Sequence, residues 1–130
     1  MAGFFQELEN TITKTGNAAS QKARDFAETN RLNGELTQSI KMLRRSGNAY
    51  AKAERDYQIA KAQTVLKMKD AGASVTEISL SIKGQPEVSE KLFARDVAKV
   101  MYESNQEHIN TVKLQLRLLD NQTAREWGNG

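Results

Sequence analysis

The side chains best placed to do chemistry are the cations Lys41, Arg44, Arg45, Lys52 and Arg55. Lys41, Arg45, Lys52 and Arg55 follow spacings of four, seven and three. A continuous helix would align them on one face, and a break at Gly47 would undo the alignment. A face of this kind attracts phosphate groups or an acidic protein surface, although Lys and Arg are equally common on ordinary solvated helix faces. Tyr50 and Tyr57 lie in the same stretch and could stack bases along a single strand; both also fit a buried stripe. The charge is concentrated here. Residues 41–70 carry eight basic and three acidic groups, net +5, whereas residues 1–40 and 71–130 are each net −1 in a chain of net charge +3.

Other chemistry finds little support. His108 is the single histidine and lies beside an apolar seam. Glu103 and Glu107 share its helix four residues apart, but a metal site would need further ligands such as Glu54 or Asp56 from another helix. There are no cysteines, hence no disulfides, thiolate nucleophiles or Cys-based zinc sites. Phosphate-binding glycine loops, G-x-S-x-G and H-E-x-x-H are absent. The expectation is a protein that is not an enzyme and uses no cofactor.

The densely punctuated stretch DAGASVTEISLSIKGQPEVSEK, Asp70–Lys91, has the helix, turn, helix order of a DNA reader. The helix that would enter the groove starts with Pro86, Glu87, Val88, Ser89 and Glu90, and its two carboxylates would face phosphate. A corner joining two antiparallel helices is the better reading. Gly72 suits a left-handed helix end. Ser74 and Glu77 suit a capping box. Gly84 stops the short helix, and Pro86 suits a first helical turn.

The elements that must carry these residues are helical. The chain has one proline in 130 residues, and apolar residues recur at helical spacing. The expected fold is all-α: an elongated helical hairpin or coiled-coil-like bundle with one very long C-terminal helix. Residues 1–46 read as an N-terminal amphipathic region and 47–130 as a helical hairpin with a short connecting helix near 74–83, all in one domain. Gly16, Asn33-Gly34 and Gly47-Asn48 are possible interruptions. From Pro86 to about Trp127 no Gly or Pro intervenes. A helix over 49–70 would cover about half of that length, so the remainder must meet the N-terminal helix or a second subunit. A homo-oligomer is expected, with Met101, Ile109, Val112, Leu116 and Leu119 as its seam. The start, Met1-Ala2-Gly3-Phe4-Phe5, is followed by Glu7 and Glu9, which favours burial against the bundle over insertion in a membrane surface. No run approaches the length of a membrane span, and no signal peptide is evident.

From about Gly47 onward the chain resembles small helical proteins encoded by tailed phages and prophages of Gram-positive bacteria. The residues carrying the resemblance are Ala53-Glu54-Arg55-Asp56-Tyr57, Ala94-Arg95-Asp96-Val97-Ala98, Met101-Tyr102 and Ala124-Arg125-Glu126-Trp127-Gly128. They cover about two-thirds of the chain and name no chemistry. The resemblance implies the cytoplasm of a host bacterium and a choice of roles. The leading one is a non-enzymatic factor that binds a host protein, inhibiting a defence protein such as a CRISPR or other nuclease. The alternative is a nucleic-acid-binding accessory protein in phage DNA replication or recombination, and the third is a virion structural or assembly protein. No membrane partner is expected.

Overall fold

A computed structural model describes the backbone of residues 2–128 and the side chains of 3–126; Met1, the side chain of Ala2, and the side chain of Trp127 within the last motif of the resemblance lie outside it. The chain is all-α. Helix α1 runs Ala2–Asp70, α2 Val75–Ser81 and α3 Pro86–Gly128, with one 3-10 turn at Ile82–Gly84 between α2 and α3. The described residues contain no strand.

The possible interruptions are not breaks: α1 passes through Gly16, Gly34 and Gly47 as one helix. Each glycine costs about 1 kcal/mol of helix propensity, and the surrounding Ala, Leu, Lys, Arg, Glu and Gln outweigh it. Gly47 has a further reason to be glycine. A Cβ placed there would stand 3.2 Å from Tyr102 Cε2, whereas one at Gly34 would meet nothing within 4 Å. Gly47 is therefore a close-approach position, and the boundary expected at residue 46 is not a helix end. Gly34→Ala should stabilise the protein by about 0.5–1 kcal/mol. Gly47→Leu should destabilise it by about 1–3 kcal/mol through overpacking against Tyr102. Urea midpoints of the two variants check the opposite signs.

The continuity of α1 also removes the length mismatch that called for a second subunit. At 69 residues, α1 is longer than the 43-residue α3.

The molecule divides into two units, Ser39–Ile109 and the combination of Met1–Gln38 with Asn110–Gly130. In the unit Ser39–Ile109 the end of α1 is closed by Gly72 at φ 88°. Ala73 N–H donates to Met68 O and Gly72 N–H to Lys69 O, each at 3.0 Å. That pair of bonds satisfies the last carbonyls of the helix. Ser74 Oγ then accepts from Glu77 N–H at 3.2 Å, which starts α2. Ile78 and Ile82 turn inward and are buried, and the core cluster is Tyr57, Ile82 and Val88, flanked by Val65, Met68 and Leu92. Pro86 opens α3. Glu87 there sits 3.5 Å from Lys67 Nζ, so this carboxylate is occupied within the corner.

Beyond the corner the two helices meet through a seam at three-and-four spacing. From α1 it takes Ser46, Tyr50, Ala53, Tyr57, Ala60 and Thr64; from α3 it takes Ala98, Tyr102, Asn105 and Ile109. Asn105 Nδ2 donates to Ser46 Oγ at 2.9 Å, and the Tyr50 and Tyr102 rings lie 6.0 Å apart. Arg95 closes the edge. Its guanidinium stands 4.9 Å from the Tyr57 ring centre, and Nη1 donates to Glu54 Oε2 at 3.2 Å.

Glu54 Oε1 accepts from Gln58 at 2.9 Å. That bond first, and then Arg95, holds the Glu54 carboxyl below its ordinary 4.5 against an opposing contribution from burial. A folded-state value below the unfolded one adds stability above the ordinary carboxylate range, and this is lost as pH falls through the folded value. The gap in Tm between the parent and Glu54→Gln should therefore narrow on acidification from about pH 6 to about pH 3, as thermal melts would show.

In the other unit, the less exposed positions are Gln21, Asp25, Glu28, Thr29, Leu32, Glu35 and Leu36 on α1, with Val112, Leu116, Leu119 and Thr123 on α3. Asp25 is buried; its Oδ1 accepts from Gln21 at 2.9 Å and its Oδ2 has no hydrogen-bond partner among the described residues. Residues 3–20 are exposed throughout. Phe4, Phe5, Leu8 and Ile12 are among them, so the expected burial of the N-terminal start is not found.

Candidate functional site

The α1 seam determines which of its residues face solvent. With Ser46, Tyr50, Ala53 and Tyr57 turned inward, the opposite side falls to Lys41, Arg45, Asn48, Lys52 and Arg55, again at alternating four and three, with Arg44 one position aside. All five cations are exposed. On an unbroken helix at ~100° per residue they occupy an arc of about 100°, and from Lys41 to Arg55 they span roughly 21 Å. The alignment that depended on Gly47 is therefore present.

None of the five takes part in an ion pair among the described residues, whereas Arg31, Lys67, Arg95 and Lys99 do. Like charges three and four residues apart on a helix repel by a few tenths of a kcal/mol per pair. The stripe is thus mildly costly to the isolated chain, and a bound anion would relieve that cost.

The tyrosines do not join it. Tyr57 is buried and Tyr50 half-buried against Tyr102, so both belong to the seam and neither offers a ring face to a base.

An open apolar groove of ≈ 350 Å³ adjoins the stripe. Met42, Ala49, Ala98 and Met101 line it, with Arg45, Ser46 and Asn105 at its edge. Sequence spacing did not single this groove out, because it is assembled from the flanks of two helices.

The other candidates are dispersed. Glu54 is held by Arg95 and Gln58, and Glu103 lies 4.0 Å from Lys99. No group of three or more His, Cys, Asp or Glu side chains among the described residues could hold a metal. No helix there is long and apolar enough to cross a membrane.

The expected oligomer seam separates as well. Ile109 and Val112 are buried within their own units, and Leu116 and Leu119 are half-buried. Met101 is 55% exposed. It lies eight residues from Ile109, off the three-and-four rhythm, and Tyr102 takes the inward position instead.

Neither family models, nor characterised proteins, nor solved structures gave a match. The reading of the face rests on its own geometry.

Proposed function

We propose that this chain is a non-enzymatic binding protein whose α1 face, Lys41–Arg55, engages an acidic surface of a partner protein. The observation that carries the reading is the set of five outward cations that make no ion pair among the described residues, beside an apolar groove that shares Arg45 with them. An apolar centre flanked by Arg and Lys matches the make-up of protein–protein contacts, in which buried apolar anchors contribute affinity and the charged rim contributes rate and register. Methionine walls adapt to the shape of what enters.

In the host-cell setting implied by the resemblance, the partner would be a defence protein. The sign of the stripe narrows the mode of inhibition. A cationic stripe is repelled by the basic channel in which a nuclease holds nucleic acid, so an inhibitor of this charge would take an acidic face elsewhere on its target.

Nucleic acid is the second reading, favoured by the regular rhythm of the four seam-opposed cations. The two part in a salt series with purified protein, labelled single- and double-stranded DNA and RNA, and an acidic amphipathic peptide. Binding of DNA or RNA with a steep salt slope would reveal several phosphate contacts and displace the protein-partner reading. Peptide binding without nucleic-acid binding would support it.

A further inference from the structure

We infer that the apolar groove beside the cationic stripe receives the first turns of α1 from a second copy of this chain, residues Phe4 to Ile12, in a head-to-tail association. The inference rests on the reading of the α1 face as a protein-docking surface and names an occupant for it.

Within their own unit, Phe4, Phe5, Leu8 and Ile12 are between 48% and 67% exposed. At ~100° per residue the four fall within an arc of about 100° and span roughly 12 Å along the helix. Gln6, Asn10 and Thr13 take the opposite side. Glu7 and Glu9 stand one at each edge of the apolar arc, and neither makes an ion pair among the described residues. A helix of this pattern buries its apolar arc against another surface, whereas here every residue from 3 to 20 is exposed. Residues 3–13 contain no Lys or Arg, so the segment lacks the basic face of helices that lie on lipid.

The groove in the unit Ser39–Ile109 has the complementary make-up. Met42, Ala49, Ala98 and Met101 line it, and Val97 and Val100 continue the apolar surface past Met101. Methionine sulfur makes favourable contacts with aromatic rings and adapts to their shape, which suits Phe4 and Phe5. Charge agrees. Going round α1 from Met42, Arg45, Lys52 and Lys41 come within about 100°. Whichever way the segment runs along the groove, one of Glu7 and Glu9 lies on that cationic side. Over residues 3–13 the segment carries two acidic groups and no basic one, against a net +5 over residues 41–70. Opposite charge of this kind steers encounter and fixes register.

The occupant comes from another copy because α1 is one helix from Ala2 to Asp70, and an unbroken helix does not fold its first turns back onto its own middle. The contact joins two different surfaces, so in the parent chain it closes into a ring or continues as an open chain. Self-association and the capture of an acidic partner then exclude each other, since both use the one groove.

The test is sedimentation velocity of the full chain at tens of micromolar, where the parent should run as species larger than a monomer. Phe5→Gln with Leu8→Gln should weaken the contact by at least about a hundredfold, and so should Met42→Glu. Helical circular dichroism should be retained in both, because the altered side chains are exposed. Each variant alone should be monomeric. Mixed, the first supplies an intact groove and the second an intact segment, so together they should form a one-to-one dimer and nothing larger. A monomeric parent, association that survives either variant, or a mixture that stays monomeric would overturn the proposal. An acidic amphipathic peptide added to the Phe5→Gln, Leu8→Gln chain reports separately on the face. With a monomeric parent, peptide binding would sink self-docking alone, and no peptide binding would sink the reading of the face as well.

Discussion

Tyr57→Ala is expected to destabilise the protein by about 3–5 kcal/mol, the usual range for removing a large aromatic from a packed site. Tyr57 is 3% exposed and forms the core of its unit with Ile82 and Val88. These three come from α1, the 3-10 turn and α3, so the ring is where the corner is fastened to both long helices. Its loss leaves a cavity that two rigid helices cannot close. It also takes away the ring face 4.9 Å from the Arg95 guanidinium, a contact worth roughly 0.5–2 kcal/mol depending on exposure. Against a total stability of about 5–15 kcal/mol for a small protein, this is a large fraction. Tyr57→Phe keeps the ring and should stay within about 1 kcal/mol of the parent. Urea unfolding followed by circular dichroism measures both. A Tyr57→Ala variant within about 1 kcal/mol of the parent would show that the corner is held by something other than this cluster.

The corner was legible in the sequence because its signals are local. Gly72, Ser74 and Pro86 each act through their own backbone or that of a near neighbour, and all three sit where their chemistry predicts. The glycines of α1 misled for the complementary reason. A helix break depends on the balance between one residue's propensity and the packing of the whole helix, and Gly47 is explained only by Tyr102, fifty-five positions away. Of the residues read as an oligomer seam, Ile109, Val112, Leu116 and Leu119 keep the three-and-four rhythm and lie inward within their own units, and Met101 alone is out of phase. Met101 and Ile109 look aligned by eye, yet the seam advances by three and four, so an eight-residue step changes faces. The basic stripe was visible as a spacing, but its value depended on continuity through Gly47, which no local signal supplies. The groove between Met42 and Met101 left no trace in the sequence, since its two walls are separated by most of the unit.

Reversing the stripe with Lys41→Glu, Arg45→Glu, Lys52→Glu and Arg55→Glu is expected to weaken binding to an anionic partner by at least about a thousandfold. Each reversal replaces an attraction with a repulsion of roughly 1 kcal/mol at a partly solvated contact, and four such sites sum to about three decades. The fold should survive, because all four side chains are exposed and none is in an ion pair. Circular dichroism should therefore be unchanged while the net charge moves from +3 to −5, two units for each of four reversals. The loss alone does not say which anion binds, because phosphate and carboxylate respond alike to charge. Met42→Glu separates them. Met42 is 48% exposed on the wall of the groove, so the change is tolerated by the fold. A nucleic acid held only by its phosphates has no use for that wall and would lose less than about tenfold to one added carboxylate. A protein that seats an apolar anchor between Met42 and Met101 would lose most of its affinity, since the new charge would be buried on binding. Sensitivity to both changes means a protein partner, and sensitivity to the cation reversals alone means nucleic acid. Indifference to the cation reversals would remove the α1 face from the binding site altogether.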